Sequence, residues 1–363
     1  MRKRMVAYVL LITATWLAGC SGRDDASDAG ADSRSTDETA ARPEVAFTYP
    51  DGSPHPVTSW GDPDLRGTWP IMHLFSTRLQ RDPQYGERRE LTDEEWEKAR
   101  AVLQQRDERY QTEIESNKMG MGHWAETTTR TEATRLTSLI SYPPDGQLPA
   151  LTPRGEELVP RFRSDDTQQV FDSPEDFDAW DRCITRGLPS SMLPFNYNNG
   201  IQIKQAPDYV VINLEMIHEA RIVPVDGRPP LDPQIKQWMG ESRGYWDGAT
   251  LVVETTNFNG QVRMLIAGIP GGPRHSTPTT TGMKTTERFT RVSDERIDYE
   301  MTIEDPEVLT DKWTISYPMF LDPEYRFFEY ACHEDNTAVR NFIEASRFER
   351  GLTRGGRPRG SEE

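Results

Sequence analysis

The sequence predicts a mainly β fold, an antiparallel meander forming an open or closed barrel with peripheral helices. Two observations carry this. From Gly187 onward, short segments rich in aromatic and β-branched residues recur at the spacing of an all-β core, separated by compact turn sequences. Connections this short leave consecutive strands little choice but to pair antiparallel. The clearest unit is Trp238 to Asn257, where Asp247-Gly248 can take the positive φ of a tight hairpin between two such segments.

Taken in order, structure is expected to begin at Asp64-Leu65-Arg66-Gly67-Thr68-Trp69. Thr92 and Glu95 form a capping box, and Trp96, Ala99, Leu103, Arg106, Tyr110 and Ile114 then trace one stripe of a helix to about residue 115. Charge interrupts the stripe, which predicts a helix lying on the β core. Met119 to Pro149 is broken by Gly and Pro, with a strand within Leu136–Tyr142. Thr152-Pro153 and Ser173-Pro174 open two short helices, proline being favoured at the first helical position.

Strands are then expected over Gly200–Lys204, Tyr209–Met216, Arg221–Pro224, Arg243–Trp246, Thr250–Thr256, Lys284–Val292, Arg296–Ile303, Lys312–Tyr317 and Tyr325–Ala331. In the hairpin, alternation puts Leu251, Val253 and Thr255 on one face and Thr250, Val252 and Glu254 on the other, directing Glu254 at an otherwise apolar wall. Gly260–Gly282 is long enough to be a lid or binding loop. Thr337–Arg350 reads as a closing helix capped by Asn336 and stopped by Gly351.

The first residues give an address. Arg2, Lys3 and Arg4, then an apolar run from Met5 to Trp16, make a secretory leader too short to span as a membrane helix. Leu17-Ala18-Gly19-Cys20 resembles the bacterial lipobox, whose cysteine is lipidated. Ser21 in place of Asp resembles the sorting signal for the outer membrane. The expected organisation is a leader over 1–20, a disordered acidic tether over 21–63, one β-rich domain over 64–352 and a flexible tail over 353–363. Net charge is −17, or −20 once the three leader cations are removed, so the surface repels phosphates. The expected partners are therefore a small neutral molecule and, through the N-terminal lipid, the bilayer; nucleic acid is excluded.

Beyond Cys20 the chain holds only Cys183 and Cys332. In an oxidising compartment a disulfide between them is the simple inference, against a buried free pair or a nucleophile. Two histidine neighbourhoods stand out: Glu215-Met216-Ile217-His218-Glu219-Ala220-Arg221, and Phe328 through Asn336 around His333. Imidazole titrates near neutrality and suits acid–base chemistry. The expected constellation has His218 and His333 as proton carriers, Arg221 as anion stabiliser and Glu334 as orienting carboxylate. Asn198, Asn199, Glu254 and Trp246 would line the site. The reaction class is a lyase, isomerase or hydrolase, against a carrier of an apolar compound or an envelope assembly protein.

No cofactor is expected. His218, His333 and a glutamate could supply a two-histidine, one-carboxylate metal set, but no compact ligand motif is present. Gly240-Glu241-Ser242-Arg243-Gly244 satisfies Gly-x-Ser-x-Gly, yet it leads into a hairpin where a nucleophile elbow needs a strand-to-helix turn.

Trp238 to Phe258, Glu287-Arg288-Phe289-Thr290-Arg291-Val292 and Tyr330-Ala331-Cys332-His333-Glu334-Asp335-Asn336 resemble the signature blocks of a large group of uncharacterised secreted proteins and lipoproteins of environmental bacteria. The resemblance covers roughly Asp64 to Glu349, implies one fold and transfers no catalytic residue. Gly67-Thr68-Trp69 is similar to the Gly-x-Trp opening of lipocalin-type barrels, which implies a lipocalin-like architecture with the tryptophan at its floor.

Overall fold

The computed structural model describes residues 46–123, 135–162, 170–265, 270–273 and 276–357. The leader, Cys20 and most of the tether lie outside the described residues.

The domain is mainly β, built as two antiparallel sheets of four and six strands with helices at the periphery. The smaller sheet places β1 (Gly67–Thr68) beside β3 (Ile201–Ala206), then β4 (Tyr209–Leu214) and β5 (Glu219–Pro224). The larger runs as a next-neighbour meander from β6 (Glu241–Asp247) through β7 (Thr250–Thr256), β8 (Lys284–Ser293) and β9 (Arg296–Glu304) to β10 (Trp313–Phe320). β2 (Ile140–Tyr142) closes its far edge. The meander is thus open, and its two sheets share a single apolar core.

Alternation decides which residues fill that core. Val210, Ile212 and Leu214 of β4 are buried, facing rows from the larger sheet that include Phe289, Tyr299, Met301, Trp313 and Ile315. Each such aliphatic or aromatic side chain contributes about 1.5–3 kcal/mol on leaving water. Trp69 is fully buried; its indole N–H donates to the Leu65 carbonyl at 3.0 Å, and the Arg291 guanidinium covers its ring. The β6–β7 hairpin forms as expected, with Gly248 at φ +60° as the first of two loop residues between paired Asp247 and Thr250.

Helix α1 (Asp93–Glu115) starts at the expected capping box, with Thr92 and Glu95 bonded reciprocally. It lies on the surface and buries only Trp96 and Tyr110. α2 (Pro153–Leu158) begins on Thr152 as read, whereas Ser173-Pro174 opens only a single 3-10 turn. α3 (Ala338–Glu349) buries no residue fully.

Several expectations are corrected. Ordered chain begins before Asp64: Tyr49, His55 and Asp62 are buried, and the Tyr49 hydroxyl donates to Asp294 at 2.9 Å. Tyr325–Ala331 joins no ladder among the described residues. Glu215 holds it instead, accepting from the Tyr325 hydroxyl and the Phe328 backbone N–H, each at 2.6 Å. The described parts of Gly260–Gly282 are no lid, because Val262, Met264, Leu265, Ser276 and Thr277 are buried. The α3 cap is Thr337 without a side-chain bond, since the Asn336 amide is used elsewhere. Thr353 and Arg357 close a backbone turn in the expected flexible tail.

Candidate functional site

Arg221 extends from β5 into the space between the sheets, on the same face as Val223, and meets Glu287 from the inward row of β8. Its Nη1 donates to Glu287 Oε1 at 2.9 Å, and Nη2 makes a second, short bond to Oε2. Both side chains are almost wholly buried. The Tyr299 hydroxyl donates to the same carboxylate at 2.8 Å, and Ser242 Oγ and Thr255 Oγ1, paired at 2.9 Å, flank Nη2. Burial pulls the Arg221 guanidinium down, but the Glu287 charge outweighs this and raises it. Burial, then Glu287, pushes the Tyr299 hydroxyl well above its ordinary range. Arg221 is therefore an inter-sheet strut, not an anion stabiliser beside the histidines. Ser242 sits in strand β6 within this network and forms no nucleophile elbow.

The histidines lie outside the core. Ile217 and His218 take positive φ of +62° and +46°, which ends the alternation of β4 and turns the His218 ring to solvent. Its Nδ1 lies 3.2 Å from the Tyr330 carbonyl, so it does reach the 330s segment. His333 and Glu334 are exposed on the turn that follows. Glu254 points outward, paired with Lys284 at 3.3 Å, which corrects its expected inward aim. Asn199 is buried but structural, its amide bonded to both backbone groups of Phe195. Asn198 is half-buried at φ +53°, and Trp246 packs its ring against the core.

Cys183 and Cys332 form the expected disulfide. A hollow of about 440 Å³ opens beside it, walled by Phe177, Trp180, Tyr197, Tyr330, Val339 and Phe342. These residues come from four separate stretches of chain, and ring packing sets their positions. Phe177 stacks on Phe171 at 4.5 Å, with Phe342 edge-on to both. Trp180 meets Phe195 edge-on at 5.0 Å, and Phe195 meets Tyr197 likewise at 5.2 Å. The Trp180 indole N–H donates to the Tyr330 hydroxyl at 3.2 Å. Asn336 fixes the bridge, donating to the Asp181 carbonyl at 2.9 Å and to Cys183 Sγ at 3.2 Å.

No family model, curated protein or solved structure matches this chain.

The pocket has the size of a small-molecule site, with aromatic rings as its main walls and Asp181 and Asn336 among its polar lining. Neither His218 nor His333 is among its lining residues. Among the described residues, no cluster of three or more His, Cys, Asp or Glu is placed to hold a metal ion. Sequence reading found the bridge and the 330s segment but missed the aromatic walls. Phe177, Trp180, Tyr197 and Phe342 follow no shared period, and the cysteine pair was the only sign joining two of their segments.

Behind the wall lies Arg186, 3 % exposed and without an acidic partner among the described residues. Its guanidinium carbon lies 5.2 Å from the Trp180 ring centroid and 5.1 Å from that of Phe195. Burial pulls this guanidinium down to about 10, so it stays charged at neutral pH. Burial also pushes the neighbouring Tyr197 hydroxyl up.

Proposed function

We propose that this chain is a lipid-anchored envelope protein, held at the outer membrane through Cys20, that binds a small apolar, ring-bearing molecule in the pocket beside Cys183–Cys332. The single observation carrying the binding role is that pocket: about 440 Å³ walled by aromatic rings from four chain segments and braced by a disulfide. Rings offer large contact area at little entropic cost, and a braced wall loses little freedom on binding. The leader and the lipobox-like Leu17-Ala18-Gly19-Cys20 support the anchor. In the test, full-length protein is incubated with an extract of bacterial envelope and its retained small molecules are identified by mass spectrometry. Wild type should retain a compound that the Phe342→Ala protein loses; equal retention by both would refute the assignment to this pocket.

A second reading, acid–base turnover of the bound molecule, is favoured by one contact: His218 touches the carbonyl of Tyr330, which lines the pocket. It excludes Arg221 from the chemistry, because Glu287 occupies that guanidinium. Once a ligand is known, turnover that survives both His218→Ala and His333→Ala would remove this reading.

A further inference from the structure

The pocket's ligand class can be narrowed from one unexplained charge. Arg186 is buried, yet its Nε and Nη2 have no hydrogen-bond partner among the described residues, and Nη1 reaches only the Leu193 carbonyl at 3.5 Å. A buried cation normally has a carboxylate beside it, as Arg221 has Glu287 and Arg263 has Asp178. Trp180 and Phe195 offset part of the cost through their ring faces, but a ring takes up none of the N–H donors. Trp180 is at once a face of this cation and a wall of the pocket. Tyr197 and Tyr330, two further walls, lie within electrostatic reach of the guanidinium. The guanidinium therefore stands behind the aromatic wall of the pocket with no carboxylate bonded to it among the described residues.

Resting on the binding role proposed above, we infer that the ligand is a ring-bearing monocarboxylate, with the aromatic walls holding its apolar body and Arg186 acting as its buried counter-ion. A single negative charge suits the protein better than a phosphate dianion, because the chain carries a net charge of −17 that repels multiply charged anions. Asp181 also lines the pocket, but it is exposed at the rim, where water screens it; the Arg186 field acts through a drier medium.

The test uses two probes of nearly equal shape, 1-naphthaleneacetate and its neutral amide, titrated calorimetrically into the full-length protein. Wild type should bind the acetate at least about tenfold more tightly than the amide, the scale expected for one buried charge acting across a ring's thickness. Arg186→Gln should abolish that preference, and Arg186→Lys should keep part of it. Should Arg186→Gln fail to fold, the wild-type comparison decides alone. Equal affinity of wild type for the two probes would overturn the counter-ion role while leaving the pocket standing. Absence of binding by either probe would overturn the pocket and this inference with it.

Discussion

Replacing Arg221 by methionine removes the cation from the inter-sheet pair and leaves Glu287, fully buried, with the Tyr299 hydroxyl as a remaining donor. Breaking a buried pair from one side strands a charge in the core, so Arg221→Met should destabilise the protein by about 3–5 kcal/mol. Removing both charges is a different perturbation. In Arg221→Met/Glu287→Leu the two hydroxyls of Ser242 and Thr255 still satisfy one another at 2.9 Å, and only the Tyr299 hydroxyl loses its acceptor. That orphan costs about 1–3 kcal/mol, partly offset by the apolar replacement, so the double variant should lie within about 2 kcal/mol of wild type. The two single changes are therefore strongly non-additive. Equilibrium urea unfolding of wild type, both single variants and the double variant measures this, and affinity for a neutral naphthalene probe should be unchanged in the folded double variant. A stable Arg221→Met protein that had lost ligand affinity would refute the strut and return Arg221 to the binding site.

Three further outcomes follow from the same geometry. Converting Cys183 and Cys332 to serine opens a link between residues 149 apart, for which chain entropy gives about 5 kcal/mol as an upper value; denaturation should show a loss of about 2–5 kcal/mol together with weaker probe binding. The Glu95 carboxyl is held at about 2, below its ordinary 4.5, by the Arg88 side chain first and the Thr92 backbone N–H second. A depressed carboxylate stabilises above its unfolded value, so the stability gap between wild type and Glu95→Gln should be full above about pH 4.5 and close as pH falls toward about 2; salt should narrow it, as acid titrations at two ionic strengths would show. Gly240 has φ +69°, and a Cβ there would sit 2.5 Å from the Thr256 carbonyl oxygen. Gly240→Ala should therefore cost about 2–4 kcal/mol in thermal or urea unfolding.

Much of the fold is written in local patterns. The Thr92–Glu95 box, the Asp247-Gly248 turn and the alternation of β4 and β7 through β10 each specify an element whose partner lies next in the chain. Tyr325–Ala331 has strand-like composition but joins no ladder among the described residues; Glu215 holds it through the Tyr325 hydroxyl and the Phe328 backbone N–H, and its Tyr330 walls the pocket. Parity alone marks Glu287 as inward, between Thr285 and Phe289, and Arg221 as sharing a face with Val223. Their pairing across the two sheets has no counterpart in sequence spacing. His218 was misplaced because alternation stops at Ile217, where a buried β-branched residue adopts a left-handed backbone that composition does not announce. The pocket is a tertiary product: Phe177, Trp180, Tyr197, Tyr330 and Phe342 converge only after both sheets and the disulfide are in place.

The binding role is tested most directly by titrating 1-naphthaleneacetamide into wild-type protein and into two single-ring deletions. Phe342→Ala removes a pocket wall; Tyr245→Ala removes a half-exposed ring of β6 that lines no part of the pocket. Wild type and Tyr245→Ala should bind one equivalent with equal affinity, and Phe342→Ala should bind at least about tenfold more weakly, the scale of one lost aromatic contact. Undiminished binding by Phe342→Ala, or no saturable binding by wild type, would contradict the assignment of this pocket as the ligand site.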